Sequence, residues 1–498
     1  MFNYTGHGGT TALSDEKVLT QTDINQFTYT HLPVWVTATC DFTRFDDLNT
    51  SAGEDVFLNK SSGGIALFTT VRVAYSRPNF PINDNVIRNL FERNNGRRRT
   101  LGEVMQATKN TLSSVYKLGF CLIGDPAVKM AYPEFGMKVT TVNGQSVDGN
   151  SISFKALEKI TVEGEVLDAS GQLVTDFTGI VNPTVKDSKV TVTCLKNSNK
   201  DDSPAFTFTD YPNTIFIGND SVRNGKFSFT FTVPKDISYS NLQGKMNLYA
   251  VDTESGNEAQ GNFDNFIVGG TSDTAETDTI GPEIRALYLN DTTFVDGGQV
   301  NTTPYFVAEL WDKSGVNITG SSVGHDMMLV IDESTVLSYN LNSYYELLPG
   351  EDGTGIVKFP IPALEPGKHT AEFWVWDILN NSTVRTFTFE VVEGLKPFLF
   401  DVIATPGIAR EQVTFHLMHN RPESRMRVGI MVYDLAGRQL WKHEESGTSG
   451  LFENYTVSWD LTSGGARMRP GVYIYRAAIS TDNSKDATKA RKFIILGE

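Results

Sequence analysis

Two hydrophobic rhythms divide the chain. Over roughly the first 133 residues, continuous apolar or β-branched runs alternate with helical periodicity, and after Tyr132 the period falls to two. Residues 34–40 and 64–71 have no polar face, the pattern of strands buried on both sides of a parallel sheet. Helices are expected between and after them. Residues 85–94 place Val86, Ile87, Leu90 and Phe91 on one face, and residues 100–118 repeat the period with Leu101, Val104, Met105, Thr108, Leu112 and Val115. Residues 119–126 read as a last short strand ending in a Gly-Asp-Pro turn.

Beyond that point the segments 226–233, 370–377 and 383–392 alternate apolar and polar positions, as strands with one buried face do. Residues 269–281 are small, polar and acidic, and are expected to link two such units. A further unit begins near Lys396 and Pro397, with strands expected over 426–433, 455–459 and 471–479 and a hairpin turn at Asp434-Leu-Ala-Gly437. The pattern gives an α/β plus all-β protein with domains at 1–133, 134–270, 281–394 and 395–498, the last three β-sandwiches; a length of 498 residues fits several compact units.

Charge narrows the partners. With 43 basic and 59 acidic residues the chain carries a formal charge of −16, which excludes nucleic acid and anionic membrane as generic partners. Residues 395–498 hold 14 basic and 11 acidic side chains, so the tail differs in sign from the rest. Three cysteines, Cys40, Cys121 and Cys194, are too few and too odd in number for a disulfide framework. No run is long and apolar enough to span a bilayer, and the first residues carry no basic segment followed by an apolar one. Two expectations follow: a cytosolic protein, or one whose export signal lies further upstream.

The candidate chemistry sits in the first 40 residues. Tyr4-Thr-Gly-His-Gly-Gly9 sets His7 among glycines at the expected end of a strand, and Cys40 ends the next one. Side chains at the carboxyl ends of adjacent strands of an α/β sheet line one crevice, so 33 positions of separation are compatible with a Cys40–His7 dyad. In such a dyad the imidazole withdraws the thiol proton, the thiolate attacks an acyl carbon, and the backbone N–H groups of Gly8 and Cys40 are candidates to hold the oxyanion. The spacing fits equally a turn histidine and a small core cysteine.

Here a resemblance adds information. Thr5-Gly-His-Gly-Gly and Ala38-Thr-Cys-Asp-Phe-Thr-Arg-Phe-Asp-Asp47 resemble the catalytic core of the gingipain-type cysteine peptidases, family C25. Ser51-Ala-Gly-Glu54, Gly63-Gly-Ile-Ala-Leu-Phe-Thr-Thr-Val-Arg72 and Leu122-Ile-Gly-Asp-Pro126 extend the likeness. Asn224-Gly-Lys-Phe-Ser-Phe, Val233-Pro-Lys-Asp236, Ser314-Gly-Val-Asn317 and Val323-Gly-His-Asp326 point to the branch serving the type IX secretion system. The resemblance implies the C-terminal part of a caspase-like α/β domain followed by three immunoglobulin-like sandwiches, with Cys40 as nucleophile and His7 as base. It further implies removal of C-terminal sorting domains from secreted proteins, transfer through a Cys40 thioester to lipopolysaccharide, and a place on the outer face of the outer membrane. No cofactor and no metal is implied. The strings Ala404-Thr-Pro406, Val457-Ser-Trp-Asp460, Arg469-Pro-Gly-Val-Tyr-Ile-Tyr-Arg476 and Lys492-Phe-Ile-Ile495 resemble a type IX secretion C-terminal domain, which implies that 395–498 docks on an outer-membrane β-barrel shuttle protein.

Other residues invite weaker readings. His416 and His419 are three apart on an expected strand and face opposite sides. Asp41, Asp46, Asp47 and Glu54 lack the regular spacing of a calcium loop and read as a polar rim. Arg97, Arg98 and Arg99 read as a solvated charge run, His325 as a structural turn residue, and Cys121 and Cys194 as inert thiols of apolar strands. Only 39 residues precede Cys40, so the sheet is expected to lack strands, an acid to orient His7 and specificity residues, and to leave an exposed apolar edge. The competing functional class is a non-catalytic surface scaffold or adhesin of stacked β-sandwiches.

Overall fold

The computed structural model describes residues 1–498 except 28–30, 60–61, 95, 114, 197–203, 274–277, 321–323, 349–352, 482–483 and 497–498, and the side chains of 76–78 and 116. Residues 274–277 of the expected linker and Val323 of the quoted motif therefore lie outside the described residues. The chain forms two compact units, Met1–Gly136 with Leu167–Leu173, and Met137–Val166 with Val174–Glu498.

In the first unit, β1 (Phe2–Thr5), β4 (Val34–Ala38), β5 (Ala66–Thr70) and β6 (Phe120–Ile123) form one sheet in that order. The first three strands are parallel and β6 is antiparallel. A small hairpin, β2 (Ala12–Leu13) and β3 (Leu19–Thr20), follows β1. Every residue of β4 and β5 is buried because both faces of the sheet are covered. Val34, Val36, Ala66 and Phe68 pack against Ile82, Val86 and Leu90 of α3 (Ser76–Phe91) and Leu101 and Val104 of α4 (Leu101–Thr111). Trp35 and Leu67 face the other way, onto Ile24 of α1 (Gln21–Gln26) and Ala52 and Val56 of α2 (Ala52–Leu58).

Two helix boundaries differ from the sequence expectation. The third helix starts at Ser76, nine residues earlier than the apolar period, with Pro78 in its first turn, where a missing N–H costs little, and Pro81 inside it. The fourth ends at Thr111, and Val115, expected on its buried face, is 71 % exposed in a following 3-10 turn. Lys117 closes that end by donating to the carbonyls of Lys109 and Leu112. Thr20–Asp23, Ser51–Glu54 and Thr100–Glu103 form capping boxes that fix the starts of α1, α2 and α4. Among the described residues β1 pairs on one side only, with the Phe2 ring tilted against Trp35 at 4.1 Å between ring centroids. An apolar cavity of about 560 Å³ beside it is lined by Tyr4, Leu13, Leu19 and Phe27, among others.

The second unit is built from strands. Its first part is a nine-stranded sheet, with Gly179–Lys186 and Lys245–Asp252 near the centre, and a three-stranded sheet. A four-stranded sheet containing Tyr305–Trp311 and a five-stranded sheet containing Gly367–Trp376 then share one core through Phe306, Leu310, Phe373 and Phe389. The last part pairs a three-stranded with a five-stranded sheet around Phe415, Trp459, Tyr475 and Phe493. The expected strands appear as Met426–Tyr433, Tyr455–Trp459 and Gly471–Ser480. Asp434 closes the expected hairpin by accepting from the N–H groups of Ala436 and Arg438 at 3.0 and 2.9 Å. The burial pattern alternates along Lys226–Thr232, since each sandwich strand has one solvent face.

Candidate active site

Strand register places the two candidate residues. Thr5 pairs with Ala38, so the offset between β1 and β4 is 33 residues, the same as that between His7 and Cys40. Both lie two positions beyond the carboxyl ends of adjacent parallel strands. Past the paired residues the chains stay together, with Gly6 N–H donating to Ala38 O at 3.4 Å. A methyl group on Gly8 would sit 2.5 Å from Thr39 Oγ1, so only glycine lets the His7–Gly8 backbone come this close to the residue before Cys40.

The His7 carbonyl is anchored from two sides, by Ser14 N–H at 2.7 Å and Tyr4 OH at 2.6 Å, while the residue is exposed. Cys40 is half-buried; its Sγ donates to Ala74 O at 3.0 Å and accepts from Ala74 N–H at 3.4 Å. The turn after it is held in a left-handed conformation at Asp41, φ 52°, whose N–H bonds Arg72 O at 3.2 Å. Beneath the turn Thr69 Oγ1 bonds the hydroxyls of Thr37 and Thr43 at 2.7 and 2.8 Å, and Thr70 Oγ1 bonds Thr39 O. Among the described residues neither Gly8 N–H nor Cys40 N–H donates a hydrogen bond. Two free donors at these positions are what an oxyanion needs.

The acidic residues around the cysteine have other work. Asp46 takes a bidentate bond from Arg72 at 2.7 and 3.0 Å, and that bond holds its carboxyl below the usual range. Glu54 caps α2 through Ser51 N–H and Oγ at 2.8 and 2.7 Å. With Asp41 and Asp47 they do not converge on a point where a metal ion could sit. Gly53 of α2 lies so close to Thr43 that a methyl group there would fall 1.8 Å from its Oγ1, which accounts for the glycine of the Ser51-Ala-Gly-Glu54 string.

Polar residues of α3 escaped the sequence reading because the helix was expected to begin at Asn85. Asn83 is buried and its Nδ2 donates to Thr5 Oγ1 at 2.6 Å, tying α3 to the end of β1. Its Oδ1, Asn79 Oδ1 one turn earlier, and Thr39 Oγ1 and Asp41 Oδ1 on either side of Cys40 are buried without a partner. The asparagine pair at i and i+4, Asn79 and Asn83, ahead of Val86 was the available signal.

Two other readings are corrected, and two further histidines gain partners. Arg98 and Arg99 are half-buried and pair with Glu134 and Glu92 rather than standing in solvent, while Arg97 is exposed as expected and pairs with Glu103. Cys194 is exposed, past the end of Val190–Thr193, so burial does not protect it. His419 serves as a hydrogen-bonding neutral ring, with Nε2 on Ser449 Oγ at 2.9 Å and Nδ1 accepting from Arg421 N–H at 3.1 Å. His325 is structural as expected, bonded to Asp236 at 2.6 Å and packed on Trp376.

The sheet of the first unit thus carries a cysteine and a histidine just past the ends of neighbouring parallel strands. Residues 1–131 match the model of peptidase family C25, a family of cysteine peptidases. Among solved structures the chain is similar to dimeric latent PorU from Porphyromonas gingivalis, at 36 % identity and TM-score 0.36 over 88 % of this chain and 41 % of that one. It is also similar to the Arg-specific cysteine proteinase gingipain R, at 19 % identity and TM-score 0.25 over 53 % of this chain and 52 % of that one. The chain thus spans less than half the length of the PorU chain. No curated protein sequence matches it.

Proposed function

We propose that this chain carries the nucleophile and base of a cysteine peptidase and transpeptidase that removes C-terminal sorting domains from secreted proteins. One observation carries the reading: His7 and Cys40 stand at equal steps past adjacent parallel strands inside the segment that matches family C25. The thiol proton is engaged by Ala74 O, so activation begins when that bond breaks and His7 takes the proton. The thiolate adds to the scissile carbonyl carbon, and the N–H groups of Gly8 and Cys40 receive the oxyanion. Collapse breaks the C–N bond, His7 returns the proton to the leaving amine, and a Cys40 thioester remains. Water then gives hydrolysis, and an amine of lipopolysaccharide gives an amide, each restoring the thiol.

The setting that goes with this reading is the outer face of the outer membrane, with residues 395–498 docked on a β-barrel shuttle protein. Support comes from the sequence strings of the tail, which fall on strands of a complete two-sheet sandwich. The test is a peptidyl acyloxymethyl ketone, which alkylates an activated thiol as its carboxylate leaves, applied to the full-length polypeptide. Labelling of Cys40 that disappears in Cys40→Ala and slows in His7→Ala is expected. Absence of label on Cys40 leaves the scaffold or adhesin reading in its place. Deleting residues 396–498 is expected to release the protein from the cell surface; retention would refute the docking role.

A further inference from the structure

One stretch of the first unit touches both halves of the candidate dyad. Ala74, in the turn ahead of α3, holds Cys40 Sγ through its carbonyl at 3.0 Å and its N–H at 3.4 Å. Within α3, Asn83 Nδ2 donates to Thr5 Oγ1 at 2.6 Å. Thr5 is the last residue of β1, two positions before His7, and it pairs with Ala38, two positions before Cys40. The helix therefore runs back from the strand ends, and Asn79, one turn nearer its start, shares the face that carries Asn83.

The histidine end of the pair needs such a hold. β1 is four residues long, and among the described residues it pairs with β4 alone. Past Thr5 the two strands keep one long bond, Gly6 N–H on Ala38 O at 3.4 Å, and Gly6, Gly8 and Gly9 leave the backbone around His7 few steric limits. Tyr4 OH and Ser14 N–H fix the His7 carbonyl, but both belong to the same end of the chain as His7, so neither by itself sets where the ring stands relative to Cys40. Stability does not account for the asparagine. Asn83 is 8 % and Asn79 4 % exposed, and the Oδ1 atoms of both are buried without a partner. A buried carboxamide with an unused acceptor is costlier than an aliphatic side chain of similar size. Thr5 is exposed, so its hydroxyl has water as an alternative partner. The carboxamide is thus kept against stability, and what it gains is a fixed position for Thr5.

We infer that Asn83 is a positioning residue: acting through Thr5, it holds the end of β1 where the His7 imidazole can reach the Cys40 thiol. The inference rests on the proposed roles of Cys40 and His7 and adds to them the element, α3, that sets their separation by touching both strand ends. Such control is effective because proton transfer needs the two heavy atoms within about 2.6–3.2 Å of each other. A misplacement of about 1 Å can cost about 10²-fold in rate. Asn83 bonds Thr5, not the thiol, so it governs orientation and takes no part in the chemistry.

The test uses the full-length polypeptide and the same acyloxymethyl ketone. Asn83→Leu removes the donor and the unpartnered oxygen together, Thr5→Val removes the acceptor at unchanged shape, and Thr5→Ser keeps it. The maximal rate of Cys40 labelling is expected to fall about tenfold in Asn83→Leu and in Thr5→Val, and no further in the double variant, because each loses the same bond. The ketone concentration giving half that rate should not change, and Thr5→Ser should keep the native rate. The pH of half-maximal labelling should rise in Asn83→Leu toward that of an isolated thiol, about 8.5, because the imidazole no longer withdraws the proton. Melting temperatures should move differently: Thr5→Val leaves Asn83 Nδ2 buried without an acceptor and lowers them, whereas Asn83→Leu leaves them equal or higher. A role in folding alone makes labelling follow stability, so a native rate in Asn83→Leu, or additive losses in the double variant, overturns the inference. Should Asn83→Leu not fold, Thr5→Val against Thr5→Ser decides on rate and pH profile. No label on Cys40 in the unsubstituted chain defeats the proposed function and this inference with it; label indifferent to Asn83 and Thr5 defeats this inference alone.

Discussion

In the N-terminal unit the central strands are buried on both faces, while sandwich strands such as Lys159–Leu167 and Lys226–Thr232 keep one face toward water. A strand covered on both sides has no lateral surface to offer a substrate, so chemistry in the first unit is confined to strand ends, where Cys40 and His7 stand. The sandwiches use their strand ends differently. There Asp312, Asp377 and Asp434 turn inward and satisfy loop N–H groups. Around Cys40 the polar atoms are not satisfied: Thr39 Oγ1, Asp41 Oδ1, Asn79 Oδ1 and Asn83 Oδ1 are buried and unpartnered. Buried polar groups in folded proteins nearly always find partners, so a concentration of orphans marks a region shaped by something other than stability.

The sharpest way to break this comparison is at the cysteines. Cys40→Ala is expected to lower ketone labelling and peptide cleavage by about a thousandfold or more, with His7→Ala costing about 10²–10⁴-fold, while melting temperatures stay within a degree or two. Modification of exposed Cys194 should leave activity unchanged; loss of activity on blocking Cys194 alone would sink the assignment.

Stability should divide in the opposite way. Phe415 is fully buried in the last sandwich, and Phe415→Ala is expected to cost that core about 3–5 kcal/mol, read as an earlier unfolding transition, with labelling of Cys40 retained. Gly53→Ala is the converse test. Its methyl group must displace Thr43, so about 1–3 kcal/mol should be lost from the first unit together with labelling, leaving the sandwich transition in place. One common transition shifted equally by both substitutions would contradict two independently stable units.

The smallest effect is a pH dependence confined to the sandwiches. Burial, helped by Arg421, lowers His419 to about 4, so the folded state holds a neutral ring. Its stabilising share is fully present above the ordinary histidine value near 6.5 and is lost as pH falls toward 4. Urea midpoints of the last sandwich should therefore drop across that window, and His419→Asn should flatten the decline.

How far the sequence reached depended on what each feature needs. The period of two along Met426–Tyr433, Tyr455–Trp459 and Gly471–Ser480 is written into local alternation, and these strands appear where the pattern put them. So is the two-faced burial of Val34–Ala38 and Ala66–Thr70. The start of Ser76–Phe91 was hidden by two prolines, Pro78 in the first turn and Pro81 inside the helix, and its asparagines Asn79 and Asn83 went unseen with it. Arg98 and Arg99 looked solvated because their acids lie on other elements.

For the candidate site, the residue types were determined by the sequence alone: a histidine among glycines and a cysteine closing an apolar run. Tertiary structure decided the rest. The 33-residue register of two parallel strands, the approach of Gly8 to Thr39 and the hold of Ala74 on the thiol all join segments far apart in the chain. Local periodicity reports which face of an element is buried, because that depends on near neighbours. It is silent on which strand end meets which, because pairing is set by the packing of the whole sheet.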